Sequence, residues 1–184
     1  MKMRWIPAAA AAALLLALVP ASRAQMSESA ARSVVSTRNY VSLQPVPRGR
    51  TFEVAVVARI KPGYHVNAHK VLDEFLISTR IEGKVPAGFR LLSTDYPAGE
   101  LRQLPFSKKK LLVYTGQVIL RMKLEADSAA PLGAQQIPLS LRYQACNNSM
   151  CLPPVNVPVA IHLTVAKAGT PAKATHTEIF RHSK

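Results

Sequence analysis

The 184-residue chain carries 24 Lys and Arg against 10 Asp and Glu, a net charge of +14, and 48% of its residues are hydrophobic. That length and apolar content allow one domain whose core does not depend on crosslinks. The charge does not point to a nucleic-acid binder: the basic residues are scattered, and the one cluster, Lys108-Lys109-Lys110, has no interleaved aromatic. It reads as a solvated basic surface, able to attract acidic partners or lipid headgroups.

In chain order, the first segment is an export signal. Lys2 and Arg4 form a basic n-region, Ala8 to Val19 an apolar h-region, and Ser22-Arg23-Ala24 a small-x-small cleavage site. The apolar run is too short for a membrane span of roughly 20 residues. Cleavage after Ala24 is therefore predicted for the signal peptide, residues 1–24, and the mature chain has no transmembrane segment. Disulfides form and persist after export.

Residues 25–45 are rich in Ser, Ala and Arg and read as a leader of uncertain order. The domain proper spans residues 46–166. In "TFEVAVVARI" the residues Phe52, Val54, Val56, Ala58 and Ile60 fall on one face, until Lys61-Pro62-Gly63 breaks the run. Further strand-like runs are 74–81, 89–94, 111–124 and 137–145. The clearest is a final run, 155–165, in which Val155, Val157, Val159, Ile161, Leu163 and Val165 alternate with more polar residues. Pro158 places that strand at an edge or a bulge. Glu125 to Ala134 is a small-residue connection, and 167–184 reads as a flexible basic tail. Alternation with regular turn signals predicts an all-β sandwich.

The chemistry-bearing stretch is "YQACNNSMCLPP", residues 143–154, which holds both cysteines, Cys146 and Cys151. If 139–145 and 155–165 form a hairpin, the two cysteines flank its connection within disulfide reach. As a staple the bond is weakly justified, because so small a ring contributes only roughly 2 kcal/mol. A metal site is a second reading: His65 and His69 have H-x3-H spacing, and Met150 adds a soft donor for Cu(I). A helix presenting both imidazoles on one face is not expected after Lys61-Pro62-Gly63. The third reading is a dithiol/disulfide couple. Asn147, Asn148 and Ser149 keep the loop polar without a carboxylate that would disfavour a thiolate, and Pro153-Pro154 stiffens its exit. Composition favours the couple without choosing it.

The same stretch resembles the cysteine loop of the N-terminal periplasmic domain of the thiol:disulfide interchange protein DsbD. The runs "GYHVNAHKVLDEFLISTRIE" (63–82) and "LPFSKKKLLVYTGQVILRMKL" (104–124) are similar to its early strand region and to its cap loop with the following strand. The likeness covers about residues 45–165. It implies an immunoglobulin-like β-sandwich in the periplasm, with Cys146 and Cys151 as the exchanging pair. By resemblance Cys151 forms mixed disulfides and Cys146 resolves them. Phe106 matches the cap-loop aromatic that shields the pair, and Tyr64 and Tyr143 match tyrosines near it.

The function implied is a protein-disulfide reductase component with no bound cofactor and no metal. It would relay electrons from a thioredoxin-like donor to a periplasmic disulfide isomerase or similar oxidised protein. The chain has neither the membrane domain nor the thioredoxin-like domain of the full-length reductase, so the donor is expected in trans. Asn147-Asn148-Ser149 is formally a glycosylation sequon, read as a chance match. Two other functions stand beside this one: a non-catalytic immunoglobulin-like binding module with an inert disulfide, and a periplasmic metal-binding protein. "GELRQLPFSKKK" has the composition of a mobile cover, with Gly99 as hinge, Pro105 fixing the turn and Phe106 lying on the disulfide.

Overall fold

The computed structural model describes residues 27–105 and 107–181. The expected signal peptide and Phe106 lie outside the described residues. Alternating apolar residues build two facing sheets, antiparallel except for one short parallel edge pair, Val46–Pro47 with Val165 and Ala166. In the first, β4 (Arg50–Ile60) pairs with β1 (Val35–Val41) on one side and β10 (Gln117–Ala126) on the other, and β7 (Phe89–Asp95) completes the order β1-β4-β10-β7. In the second, β11 (Gly133–Tyr143) and β13 (Val155–Ala166) pair from Gly133↔Val165 to Tyr143↔Val155, with β6 (Arg80–Glu82) outside β11 and β3 (Val46–Pro47) outside β13. Val54, Val56, Leu120, Met122 and Leu124 meet Ile137, Leu141, Val159 and Ile161 between the sheets. Each fully buried side chain of this kind contributes about 1.5–3 kcal/mol. The chain is an all-β, immunoglobulin-like β-sandwich.

Pro158 fits the edge expected of it. The Asn156 and Ala160 carbonyls accept hydrogen bonds from Arg32 Nη1 and Asn39 Nδ2, on the side of β13 away from β11. In a strand, residues two apart direct their backbone groups the same way. The nitrogen of Pro158 therefore faces this side edge, and the β11–β13 ladder loses no bond there.

Three long strands continue past the sandwich into a third sheet, ordered β12-β5-β9-β8. Beyond the turn at Lys61–Tyr64, β4 gives β5 (His65–Asn67), and β11 passes through Gln144 into β12 (Ala145–Cys146). Before Thr115-Gly116, β10 is preceded by β9 (Leu111–Tyr114), which pairs with β8 (Glu100–Arg102). The sequence run 111–124 is thus two strands, because Gly116 turns the chain with φ +61°.

The run 74–81, expected as a strand, is strand only from Arg80 onward. Phe75 is 85% exposed, whereas Leu76 packs on a small cluster of Leu104, Leu111 and Val113. Asn67 fastens the segment instead: its Nδ2 donates to Ile77 O at 3.1 Å and its carbonyl accepts from Thr79 Oγ1 at 2.6 Å. Side-chain tethers have replaced a ladder there.

Both flanks of the domain carry secondary structure in their described residues. Residues 27–32 are helical, and Ala31 is buried in the main core; β1 follows at once. The segment read as a flexible tail carries β14 (Lys173–Ala174), paired with β2 (Leu43–Gln44), and a short helix, Thr177–Phe180. Arg121 Nη2 donates to Ile179 O at 2.9 Å, and the His176 ring packs edge-on against Tyr40. This cover lies on the outer face of the first sheet and accounts for burial of Ala55 on the face opposite Val54 and Val56. Polarity alone hides such a segment, because its anchoring is by backbone bonds and single side chains.

Candidate functional site: a cysteine hairpin on the third sheet

Cys146 and Cys151 are disulfide-bonded across a tight hairpin, with Cα atoms 4.0 Å apart. Leu152 N donates to Ala145 O at 2.8 Å and Asn147 N to Met150 O at 2.9 Å, so the cysteines oppose each other between two hydrogen-bonded pairs. Opposed residues at such a position come closest and project to the same face. Asn147 Oδ1 closes the turn by accepting from Ser149 N at 2.8 Å and Met150 N at 2.9 Å. Cys146 is 2% exposed, whereas Cys151 lies at the surface. Beside it Met150 is 58% exposed.

The other edge of β12 pairs with β5 in the register Ala145↔Val66 and Cys146↔His65. Strand residues alternate between faces. Ala145, Val66 and Tyr114 therefore face the main core, while Cys146, His65, Asn67 and Val113 share the opposite face. Leu111, Glu100 and Arg102 belong to that second face through the β8–β9 register. Leu104 packs on Leu111 and Val113 of this face, Ser107 N donates to Leu104 O at 3.0 Å, and Gln103 Nε2 donates to Ser107 O at 2.6 Å. Next to these residues lies a cavity of about 350 Å³ lined by Asp73, Leu76, Ser107, Lys108, Lys109 and Leu111. The disulfide thus lies outside the sandwich core, in a small layer of its own.

His65 is 5% exposed, and its pKa is lowered from the usual 6.5, first by burial and then by the positive charge of Arg102. Arg102 is itself paired with Glu100 at 2.6 Å. The two tyrosines expected near the pair pack in or against the main core. Tyr64 packs against the main core, one residue out of phase with His65. Tyr143 is fully buried, and its hydroxyl donates to Ala31 O at 2.8 Å, with the pKa pushed up to about 12 by burial. Sequence reasoning weighed His65 only as a metal ligand or a bland imidazole; the signal available was its phase, opposite to Tyr64 and Val66.

His65 and His69 do not converge. His69 shares a 3.0 Å hydrogen bond with Thr79 O through Nδ1 and stacks on Tyr96 with ring centroids 3.6 Å apart. Among the described residues no group of three His, Cys, Asp or Glu side chains is placed to hold a metal ion. Gly99, read as a hinge, is a packing glycine: a Cβ there would lie 2.6 Å from Ala68 Cβ.

The family model described as "Thiol:disulfide interchange protein DsbD, N-terminal" matches residues 31–162, most of the chain. The protein belongs to that family, which fits a thiol–disulfide exchange module built around the Cys146–Cys151 bond. The matched span includes both cysteines and His65 and ends before β14 and the last helix. No curated protein matches the chain. Among solved structures it is similar to the N-terminal periplasmic domain of ScsB from Proteus mirabilis, at 11% identity and a TM-score of 0.47, over 71% of this chain and 46% of that one. The chain therefore spans less than half the length of that structure. No described helix is long and apolar enough to cross a membrane.

Proposed function

We propose that the protein is a periplasmic electron relay that takes two electrons from a thioredoxin-like donor and passes them to oxidised periplasmic proteins, a disulfide isomerase among them, with no bound cofactor. The observation that carries this reading is the unequal exposure of the two cysteines, with Cys151 at the surface and Cys146 at 2%. A donor thiolate reaches Cys151 Sγ, the Cys146–Cys151 bond breaks, and Cys146 leaves with the electron pair. The donor's second thiolate then attacks its own sulfur in the mixed disulfide and frees Cys151. With the pair reduced, Cys151 attacks an oxidised partner and Cys146 resolves the mixed disulfide, returning the electrons in one two-electron step.

Supporting features are local. The hairpin holds the thiols opposed in the reduced state, so closure needs little rearrangement. Asn147, Asn148 and Ser149 offer an incoming thiolate no repelling charge, and exposed Lys108 and Lys109 attract a partner with an acidic rim. By resemblance Phe106 would be the aromatic that shields the disulfide between encounters.

The test is covalent capture. A reduced Cys146→Ser variant retains mixed disulfides at Cys151 when incubated with oxidised disulfide isomerase or with periplasmic extract, because Cys151 takes one sulfur of the partner's disulfide and no second thiol is present to resolve it. Capture by Cys151→Ser but not by Cys146→Ser would reverse the assignment. Capture by neither would favour a binding module with an inert bond.

A further inference from the structure

We propose that His65 is the proton partner and positioning residue of Cys146, an inference that rests on the exchange reading and gives it an acid–base group. Cys146 is held between two neighbours on one face: Cys151 across the hairpin and His65 across the β12–β5 pair. Directly opposed strand residues bring their Cβ atoms to roughly 4.5–5.5 Å, within reach of an imidazole and a sulfur. Both residues are almost fully shielded, at 2% and 5% exposure, so bulk water does not exchange protons freely with Cys146. Cys151, at the surface, has solvent for that purpose; Cys146 needs a group inside the fold.

Among the described residues, the strand registers place these groups around the imidazole. From β12 and the hairpin come Cys146 and Cys151; from β8 come Arg102 and Glu100, paired with each other; β9 contributes Leu111 and Val113. Burial and Arg102 both favour the neutral ring, in which one nitrogen is unprotonated and can take up a proton. When Cys146 resolves a mixed disulfide at Cys151, its S–H proton passes to the His65 ring as the new S–S bond forms. The partner then leaves as a thiolate. When a donor attacks Cys151, Cys146 departs as a thiolate beside the neutral ring, and the proton lost by the donor's second thiol as it attacks restores the Cys146 thiol. Arg102 favours the thiolate over the thiol in both directions. Once the S–S bond has formed no thiolate is left beside the imidazolium, which burial and Arg102 disfavour, so the ring passes its proton to the departing partner thiolate and returns to the neutral form.

The experiment reads Cys146 alone. In a Cys151→Ser background, ultraviolet thiolate absorbance against pH gives the Cys146 titration, with no exchange partner present. Replacing His65 by Phe should raise the Cys146 pKa by about one unit, a tenfold loss of thiolate near neutrality. Gln, which can hydrogen-bond but not take up the proton, should restore part of the shift. In the intact pair, His65→Phe should slow resolution of a trapped mixed disulfide about tenfold at pH 7, with less difference at high pH. A Cys146 pKa that is the same in folded His65→Phe protein would overturn the proposal. If that variant does not fold, NMR of the wild-type imidazole decides: the His65 pKa should rise on reduction of the disulfide, and a value equal in both redox states would overturn it. Failure of wild-type protein to exchange with any thioredoxin-like protein would instead count against the relay.

Discussion

Replacing Asn147 by Ala should raise the reduction potential of the pair. In the oxidised protein the disulfide holds positions 146 and 151 opposed whether or not the turn is capped. In the reduced protein that task falls to the hairpin bonds and to Asn147 Oδ1, which accepts from Ser149 N at 2.8 Å and Met150 N at 2.9 Å. Each such bond contributes about 0.5–1.5 kcal/mol net. Removing both lets the reduced loop open, and the reduced state gains about 1–2 kcal/mol relative to the oxidised one. At about 30 mV per 1.4 kcal/mol for a two-electron couple, the potential should rise by roughly 20–40 mV. The assay is equilibration in graded glutathione buffers, with the oxidised fraction read by alkylation and mass spectrometry. A potential within about 5 mV of wild type, or a lower one, in a variant with an unchanged far-ultraviolet spectrum would show that the cap does not preorganise the thiols.

Gly99→Ala should cost roughly 1–3 kcal/mol, seen as a loss of several degrees in Tm, since the added Cβ meets Ala68 and Leu112; an unchanged Tm would return the residue to a hinge role. Tyr143→Phe should cost about 1 kcal/mol and speed hydrogen exchange in residues 27–34, because Ala31 O loses its donor. The Tyr143 pKa is raised from 10 to about 12 in the fold, so its neutral form adds stability below pH 10 that is lost as pH rises towards 12. The Phe variant should show less of this alkaline loss in chemical denaturation. Phe106→Ala should leave Tm nearly unchanged while speeding reaction of the pair with small thiols. A core phenylalanine would instead cost roughly 3–5 kcal/mol.

The sandwich was legible where one face is buried and the other wet. Strand β13 and the face of β4 carrying Val54 and Val56 follow directly from period-two alternation. The strand β1 was not legible, since "VSTRNYV" has little apolar content and is held by its seven-residue register with β4. The run 74–81 misled for the opposite reason: Phe75, Leu76 and Ile77 look like a strand, yet tethers from Asn67 and a satellite cluster set their path. At the site, the cysteines announce themselves by spacing and by the proline pair after them. His65 does not, because its meaning depends on which of two adjacent residues faces Cys146, and only the β12–β5 register decides that. Tyr64 and Tyr143, assigned to the site by likeness, have side chains turned to the main core.

The most direct test of the relay is the equilibrium between the oxidised mature protein and a reduced thioredoxin-like protein, followed to completion by alkylation of both partners. The account predicts rapid transfer of two electrons to the Cys146–Cys151 pair, at a potential above about −300 mV. A pair that stays oxidised against that donor, with a potential below about −300 mV, would contradict it and mark the bond as an inert crosslink.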